Sequence, residues 1–169
     1  IQAGEVDWLG GVLTDLPPIL EIHPAVNLHR TDPYGILHVI RFNHLIAPFD
    51  NVELRRAVLK AVDQVPFRQS VAANHQDREE CLALSPCGKP GVQHVGEGIL
   101  GSLDIEAAKQ AAIDAGYKGE PVVILNPTDT ASIHPHGLFA ADLLQKIGFN
   151  FDLVETNWGT VVQRPVSKE

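Results

Sequence analysis

The stretch that decides the fold runs from Ile36 to Ala73 and reads ILHVIRFNHLIAPFDNVELRRAVLKAVDQVPFRQSVAA. It opens on an alternating run in which Ile36, His38, Ile40 and Phe42 share one side and Leu37, Val39, Arg41 and Asn43 the other. A period of two predicts a strand with at least one buried face. The turn Pro48-Phe49-Asp50-Asn51 follows, and Asp50 with Glu53 three residues on predicts a capping box at a helix start. Leu54, Val58, Ala61 and Val62 then recur at helical spacing, with Glu53, Arg56 and Lys60 off that stripe. Asp63 is placed to cap a second short helix, where Pro66 fits because it falls in the first turn. The pattern is strand, loop, helix, helix.

Downstream, residues 74–101 are loop-rich and hold both cysteines, Cys81 and Cys87. In an oxidising compartment that pair can close a small disulfide loop, and two buried thiols are the alternative. Zinc would need two further ligands at matching spacing, and the Cys-x-x-Cys spacing of redox enzymes is absent. Gly96-Glu97-Gly98-Ile99-Leu100-Gly101 formally matches a dinucleotide-binding loop. The residues before it make a poor buried strand and Glu97 would face a pyrophosphate, so a turn is expected there instead. Asp104 is expected to cap a helix reaching Ala115 and stopped by Gly116, with Ile105, Ala108, Ala112 and Ala115 as its apolar stripe. Pro121 to Leu125 reads as a short central strand. A helix from about Pro135 to Ile147, ended by Gly148, buries Phe139, Ala140, Leu143, Leu144 and Ile147. Phe149 to Val154 alternates as a last strand, and Trp158 to Val166 closes as a helical segment. Upstream, Asp15 is placed to cap a short helix with Pro17 and Pro18 in its first positions, ending near His23-Pro24. Val26 to His29 is a strand candidate, and Thr31 to Gly35 a turn. The fold class is therefore α/β. One mixed β-sheet is expected from Ile36–Phe42, Pro121–Leu125 and Phe149–Val154, flanked by the helices at Val52, Asp104 and Pro135, with the last two strands parallel.

Composition bounds what this fold can serve. A chain of 169 residues is long enough for a core of its own, and 44% hydrophobic with 20% charged residues reads as globular. A net charge of −8, with no stretch interleaving Lys or Arg with aromatics, argues against a nucleic-acid surface. No run approaches the ~18 apolar residues of a membrane-spanning helix. There is no Gly-x-Ser-x-Gly, no phosphate-cradling Gly-Lys-Ser/Thr loop and no defensible carboxylate pair, so neither an enzyme nor a bound cofactor is expected.

Asn43, Pro48-Phe49-Asp50-Asn51, Arg55-Arg56-Ala57 and Ala61-Val62-Asp63-Gln64 resemble the N…PFDD..VRRA…AIDR signature of the extracellular solute-binding proteins, family 5, the peptide- and nickel-binding receptors of bacterial ABC importers. Glu53-Leu54 stands where Arg-Val is usual, and Gln64 where Arg is usual. Gly4-Glu5-Val6-Asp7 resembles the segment with which these receptors leave their first lobe. Asp104 to Tyr117 and the Gly148 to Leu153 ending also resemble family segments, in the family's order. The resemblance implies the C-terminal lobe of a periplasmic binding protein of type II, with residues 1–34 as a remnant of the first lobe and crossover and residues 35–169 as the lobe, incomplete at its C-terminal end. It also implies a periplasmic location, a small peptide or similar solute as ligand, and an inner-membrane ABC permease as partner. The ligand class stays open between dipeptide, longer peptide, nickel complex, sugar or another solute. With Ile1 first and no methionine anywhere, a piece of a longer protein is expected. The rival readings are an autonomous structural or interaction domain, and behind it a small metal-dependent enzyme using His134 and His136.

His134-Pro135-His136 is the only close histidine pair. A facing pair can begin a metal site, but no His-Glu-x-x-His motif accompanies it, and exposed loop histidines are the plainer reading. Some oligopeptide receptors of the family place a histidine near the corresponding helix start, where it touches the peptide. A helix N-terminus attracts carboxylates, so the resemblance makes His134 the first ligand candidate, followed by Asn126, Thr128 and Asp129 on the same strand-to-helix loop. Asn43 and His44, at the end of the opening strand, complete the set, although Asn43 also reads as a turn residue bonded to backbone.

Overall fold

A computed structural model describes residues 1–12, 15–35, 37–71, 80–83, 85–93, 98 and 103–164. Its elements are α1 (Pro17–Glu21), α2 (Val52–Lys60), α3 (Gln64–Val71), α4 (Ile105–Asp114), β1 (Val122–Pro127), α5 (His134–Lys146), β2 (Phe151–Thr156) and α6 (Trp158–Gln163). Most of the Gly96 to Gly101 stretch lies outside the described residues, as do Ile36 and the end of the segment expected from Trp158 to Val166.

The C-terminal half follows the expected pattern. β1 and β2 pair in parallel, from Val122 opposite Phe151 to Pro127 opposite Thr156, with α5 crossing between them and packing on both. Gly148, at φ +82°, ends α5 in the left-handed conformation that glycine adopts without a Cβ penalty. Tyr117 fixes the far side of the unit. Its hydroxyl donates to the Glu120 carbonyl at 2.9 Å and accepts from the Asn150 amide at 2.7 Å, just before β2 begins.

The helical half is built on small residues. α2 packs against α4, and Ala57, Ala108 and Ala112 are each at most 2% exposed, so the two backbones approach closely. Leu54, Val58, Ala61, Val122, Leu143, Leu144 and Ile147 fill the space between these helices, α5 and the sheet. Phe49, Phe149 and Tyr117 stack through the centre, with ring centroids 5.9 and 4.1 Å apart. Phe42 leans on Phe49 from outside.

Five expectations change. Residues 37–43 form no strand: Leu37, Val39 and Ile40 are exposed, Val39 at 70%, and the described sheet contains β1 and β2 only, as a parallel pair instead of a mixed sheet. Alternation prepares a segment for a ladder, but a ladder needs a neighbour, and residues 37–43 pair with neither open edge of the two-stranded sheet. Val26 to His29 is likewise not a strand. α1 begins after Leu16, without a side-chain cap from Asp15, and ends at Glu21, before His23. β2 starts at Phe151, while Phe149 is a core residue ahead of it.

The fifth change is the cap of α2, which is Asn51 and not Asp50. Asn51 Oδ1 accepts from the Glu53 amide at 2.9 Å, and Asn51 Nδ2 donates to the Ala115 carbonyl at the end of α4, also at 2.9 Å. Asp50 sits in the preceding turn, its amide donating to the Ile46 carbonyl. An aspartate could accept from Glu53 but has nothing to donate to Ala115. Asn51→Asp should therefore destabilise the chain by about 1–2 kcal/mol even though aspartate is an equally good cap, because the Ala115 carbonyl loses its donor and meets an anion. Urea unfolding measures this, and a stability equal to wild type would remove Asn51 as a link between the two helices.

Candidate functional site

The C-terminal end of β1 runs straight into the turn that opens α5, bringing Asn126, Thr128, Asp129 and His134 into one short span. Asn126 is fully buried, and its Nδ2 lies 3.1 Å from His134 Nδ1. An amide nitrogen only donates, so in this arrangement Nδ1 accepts and the His134 ring proton sits on Nε2. Asn126 Oδ1 is buried without a hydrogen-bond partner. The carboxamide lies directly over Gly137 in the first turns of α5, where an added Cβ would stand 2.4 Å from both Cγ and Oδ1.

The neighbouring candidates are engaged in local structure. Thr128 donates its amide to the Thr156 carbonyl at 2.9 Å, extending the ladder past Pro127. Asp129 Oδ1 accepts from the Trp158 amide at 2.8 Å and so helps hold the start of α6, together with the Asn157 cap on Thr160. The opening of α5 is also more closed than the sequence suggests. Ile133 and His134 both donate to the Thr130 carbonyl, His136 donates to the Ile133 carbonyl, and Pro135 has no amide hydrogen. A carboxylate reaching this point would meet the His134 side chain, because these amides already have acceptors.

Asn43 Oδ1 accepts from the Leu45 amide at 3.0 Å, closing a local turn, and His44 is exposed. Neither joins the Asn126–His134 group. Cys81 and Cys87 are disulfide-linked, with Cα atoms 5.6 Å apart. Gln64, at the head of α3, holds this loop by accepting from the Cys81 amide and donating to its carbonyl. Among the described residues no group of three or more His, Cys, Asp or Glu side chains is placed to hold a metal ion.

His134 and His136 face different neighbours, so the close pair in sequence is not a pair in space. His136 instead meets His38, 98 residues away, with Nε2 2.5 Å from His38 Nδ1. Phe67 of α3 stands edge-on to both rings, at centroid distances of 5.5 and 4.9 Å, and Phe139 backs Phe67. Burial lowers the pKa of both histidines from its ordinary value, and at His38 the facing His136 lowers it further. The sequence flagged His136, but nothing in the spacing of His38 marks it as its partner. Beside this cluster, Pro66 and Ser70 of α3 and Pro135, Leu138, Phe139 and Asp142 of α5 line a hollow open to solvent.

The family described as "Bacterial extracellular solute-binding proteins, family 5 Middle" matches residues 1–169. The chain is 33% identical to the "Probable peptide ABC transporter periplasmic-binding protein y4tO" of Sinorhizobium fredii over 166 residues, which is 97% of the chain and 31% of that protein. It is 30% identical to the "Oligopeptide-binding protein OppA" of Bacillus subtilis over 115 residues, 64% of the chain and 20% of that protein. The crystal structure of the ABC transporter substrate-binding protein CtaP from Listeria monocytogenes superposes with a TM-score of 0.59 at 16% identity, over 68% of the chain and 23% of that protein. That likeness is one of fold. The chain thus spans about a third or less of the length of these relatives.

Two measurements test the geometry. Gly137→Ala should destabilise by about 1–3 kcal/mol through overpacking against Asn126. In an Asn126→Ala background the same substitution should be neutral or slightly stabilising, since the obstruction is gone and alanine is the better helix former. Equal costs in both backgrounds, read from urea melts, would show that the contact does not limit this position. The second test concerns pH. A histidine with a lowered folded pKa binds fewer protons folded than unfolded, so its stabilisation is complete above about 6.5 and is lost as pH falls through the folded value. In EDTA-containing buffer, stability should fall between pH 7 and pH 5, and His38→Leu and His136→Leu should each flatten that slope. A slope unchanged in both variants would remove the pair from the acid response.

Proposed function

The chain belongs to the bacterial extracellular solute-binding proteins, family 5, and from that premise we propose that it forms part of the receptor component of an ABC importer for peptides or related small solutes. The observation that carries this reading is the match of the family over residues 1–169, joined to the position of Asn126 and His134 at the C-terminal end of a parallel strand. In parallel α/β sheets, ligands settle outside the carboxyl ends of the strands. His134 presents its Nε2–H there, held by Asn126, as a donor for a ligand carboxylate.

In this proposal residues 1–34 carry the end of one lobe and the crossover, and residues 35–169 carry most of the C-terminal lobe. The cleft lies between this lobe and one supplied by the remaining length of such receptors. Binding closes the lobes, and the closed receptor docks on a membrane permease. The chain acts outside the cytoplasm and binds solute without transforming it. Thr128 and Asp129 shape the cleft wall through β2 and α6, whereas Asn43, which closes a local turn, and His44 stand apart from this group.

Affinity in such a cleft comes from desolvating the ligand against two walls, so one wall alone loses contacts and burial together. Calorimetry with a peptide library should show micromolar or tighter binding by a receptor-length polypeptide containing this chain, and binding by residues 1–169 at least 100-fold weaker. In the receptor-length protein, His134→Ala should cost about 1–3 kcal/mol for a ligand whose carboxylate meets the ring. Micromolar binding by residues 1–169 alone would overturn the half-cleft reading. Absence of peptide binding by the longer protein would overturn the ligand class.

A further inference from the structure

The His38–His136 contact takes no part in the Asn126–His134 group, and it joins two segments that no backbone ladder joins. His136 Nδ1 lies 2.9 Å from the Ile133 carbonyl, so Nδ1 carries the proton and Nε2 presents its lone pair. That lone pair points at His38 Nδ1, 2.5 Å away. The two imidazoles therefore aim one nitrogen each at a common point, from rings whose centroids are 4.5 Å apart, over the edge of Phe67.

We propose that His38 and His136 form a two-histidine site for a divalent transition-metal ion, in which the ion takes the place of the single proton between the rings, that proton moving to His38 Nε2 so that both ligands stay neutral, and clasps residues 37–43 onto the first turn of α5. Zinc–imidazole bonds of ~2.0–2.1 Å in tetrahedral geometry set the two nitrogens about 3.3 Å apart, so the rings need to open by less than about 1 Å. His38 lies in an exposed segment without a ladder, so that side can give. The bond from His136 Nδ1 to Ile133 is the outer-shell contact that metal-binding imidazoles ordinarily make, fixing the tautomer and the ring direction. Neutral imidazole is the form that ligates. Imidazole ligands suit zinc, copper and nickel.

Two protein ligands leave the other positions to water, since His134 is turned to Asn126 and no third His, Cys, Asp or Glu joins the pair among the described residues. The site is thus an exchangeable clasp and not a closed structural centre. Binding couples the loop ahead of the Pro48 turn to α5, and so to the helix that begins the candidate cleft wall. The inference stands on these two residues and does not depend on the solute-receptor reading.

Equilibrium dialysis and calorimetry of metal-stripped residues 1–169 with Zn²⁺, Ni²⁺ or Cu²⁺ alone, at pH 7.5, test it. One ion should bind per chain in the micromolar range and raise the melting temperature. His38→Ala and His136→Ala should each weaken that binding at least tenfold and abolish the thermal shift. His134→Ala and His44→Ala should leave both unchanged. His38 sits outside the buried core, so His38→Ala reports on the site even where His136→Ala perturbs α5. Circular dichroism confirms folding of each variant. Binding that persists in both His38→Ala and His136→Ala, binding abolished by His134→Ala, or no binding below millimolar metal would each overturn the proposal.

Discussion

The helical half of the molecule turns on one carboxamide. Asn51 accepts from the first turn of α2 and donates to the last carbonyl region of α4, so each helix end is satisfied by the same side chain. Helix ends leave amides and carbonyls without intrahelical partners, and burying them unmet would cost more than the packing nearby returns. By meeting one at each end, Asn51 fixes α2 and α4 in register. That register is what lets Ala57 lie against Ala108 and Ala112 without larger side chains to fill the gap. Arg55 reinforces the same corner by reaching back to the Phe49 and Asp50 carbonyls. The Pro48 turn, the two helices and the aromatic stack then behave as one unit.

That dependence explains which parts of the fold were legible. The helices at Val52, Ile105 and His134 announce themselves because their apolar stripes face one core, the helix at Gln64 buries no residue fully and is marked by Asp63 alone, and Asp104, Gly116 and Gly148 mark the other ends locally. β1 and β2 are legible for the same reason, each being short, apolar and separated by one helix. The choice between Asp50 and Asn51 was not legible. Both residues suit a helix cap, and the deciding partner, the Ala115 carbonyl, lies 64 residues away. Local sequence supplies the need for a cap; tertiary structure selects which residue meets it. Residues 37–43 failed differently. Their alternation is genuine, but it describes a preference for a ladder and says nothing about whether a neighbouring strand is present.

The candidate site was half legible for a related reason. Asn126, Thr128, Asp129 and His134 fall together because a strand-to-helix connection keeps sequence neighbours near in space. Their individual roles diverged once partners appeared: Asp129 went to Trp158, Thr128 to Thr156, and His134 to Asn126. His136 shows the limit most clearly. Its two-residue spacing from His134 suggested a pair, but successive positions at a helix start point in different directions, so each ring found a separate partner. No sequence period connects His136 to His38.

The junction between β1 and α5 also bears the mark of something other than stability. Asn126 is the one buried polar residue among the described residues, and its oxygen is left without a partner there. A buried acceptor of this kind costs about 1–3 kcal/mol. Gly137 beneath it adds about 1 kcal/mol relative to alanine in a helix interior, and the carboxamide leaves no room for the alanine. An apolar side chain at position 126, over an alanine at 137, would remove both penalties. It would also release His134, whose ring direction and tautomer depend on the Asn126 amide. Two coupled departures from the most stable choice thus converge on the orientation of one histidine at the end of a parallel strand, whereas at the Asn51 corner every contact satisfies a helix end.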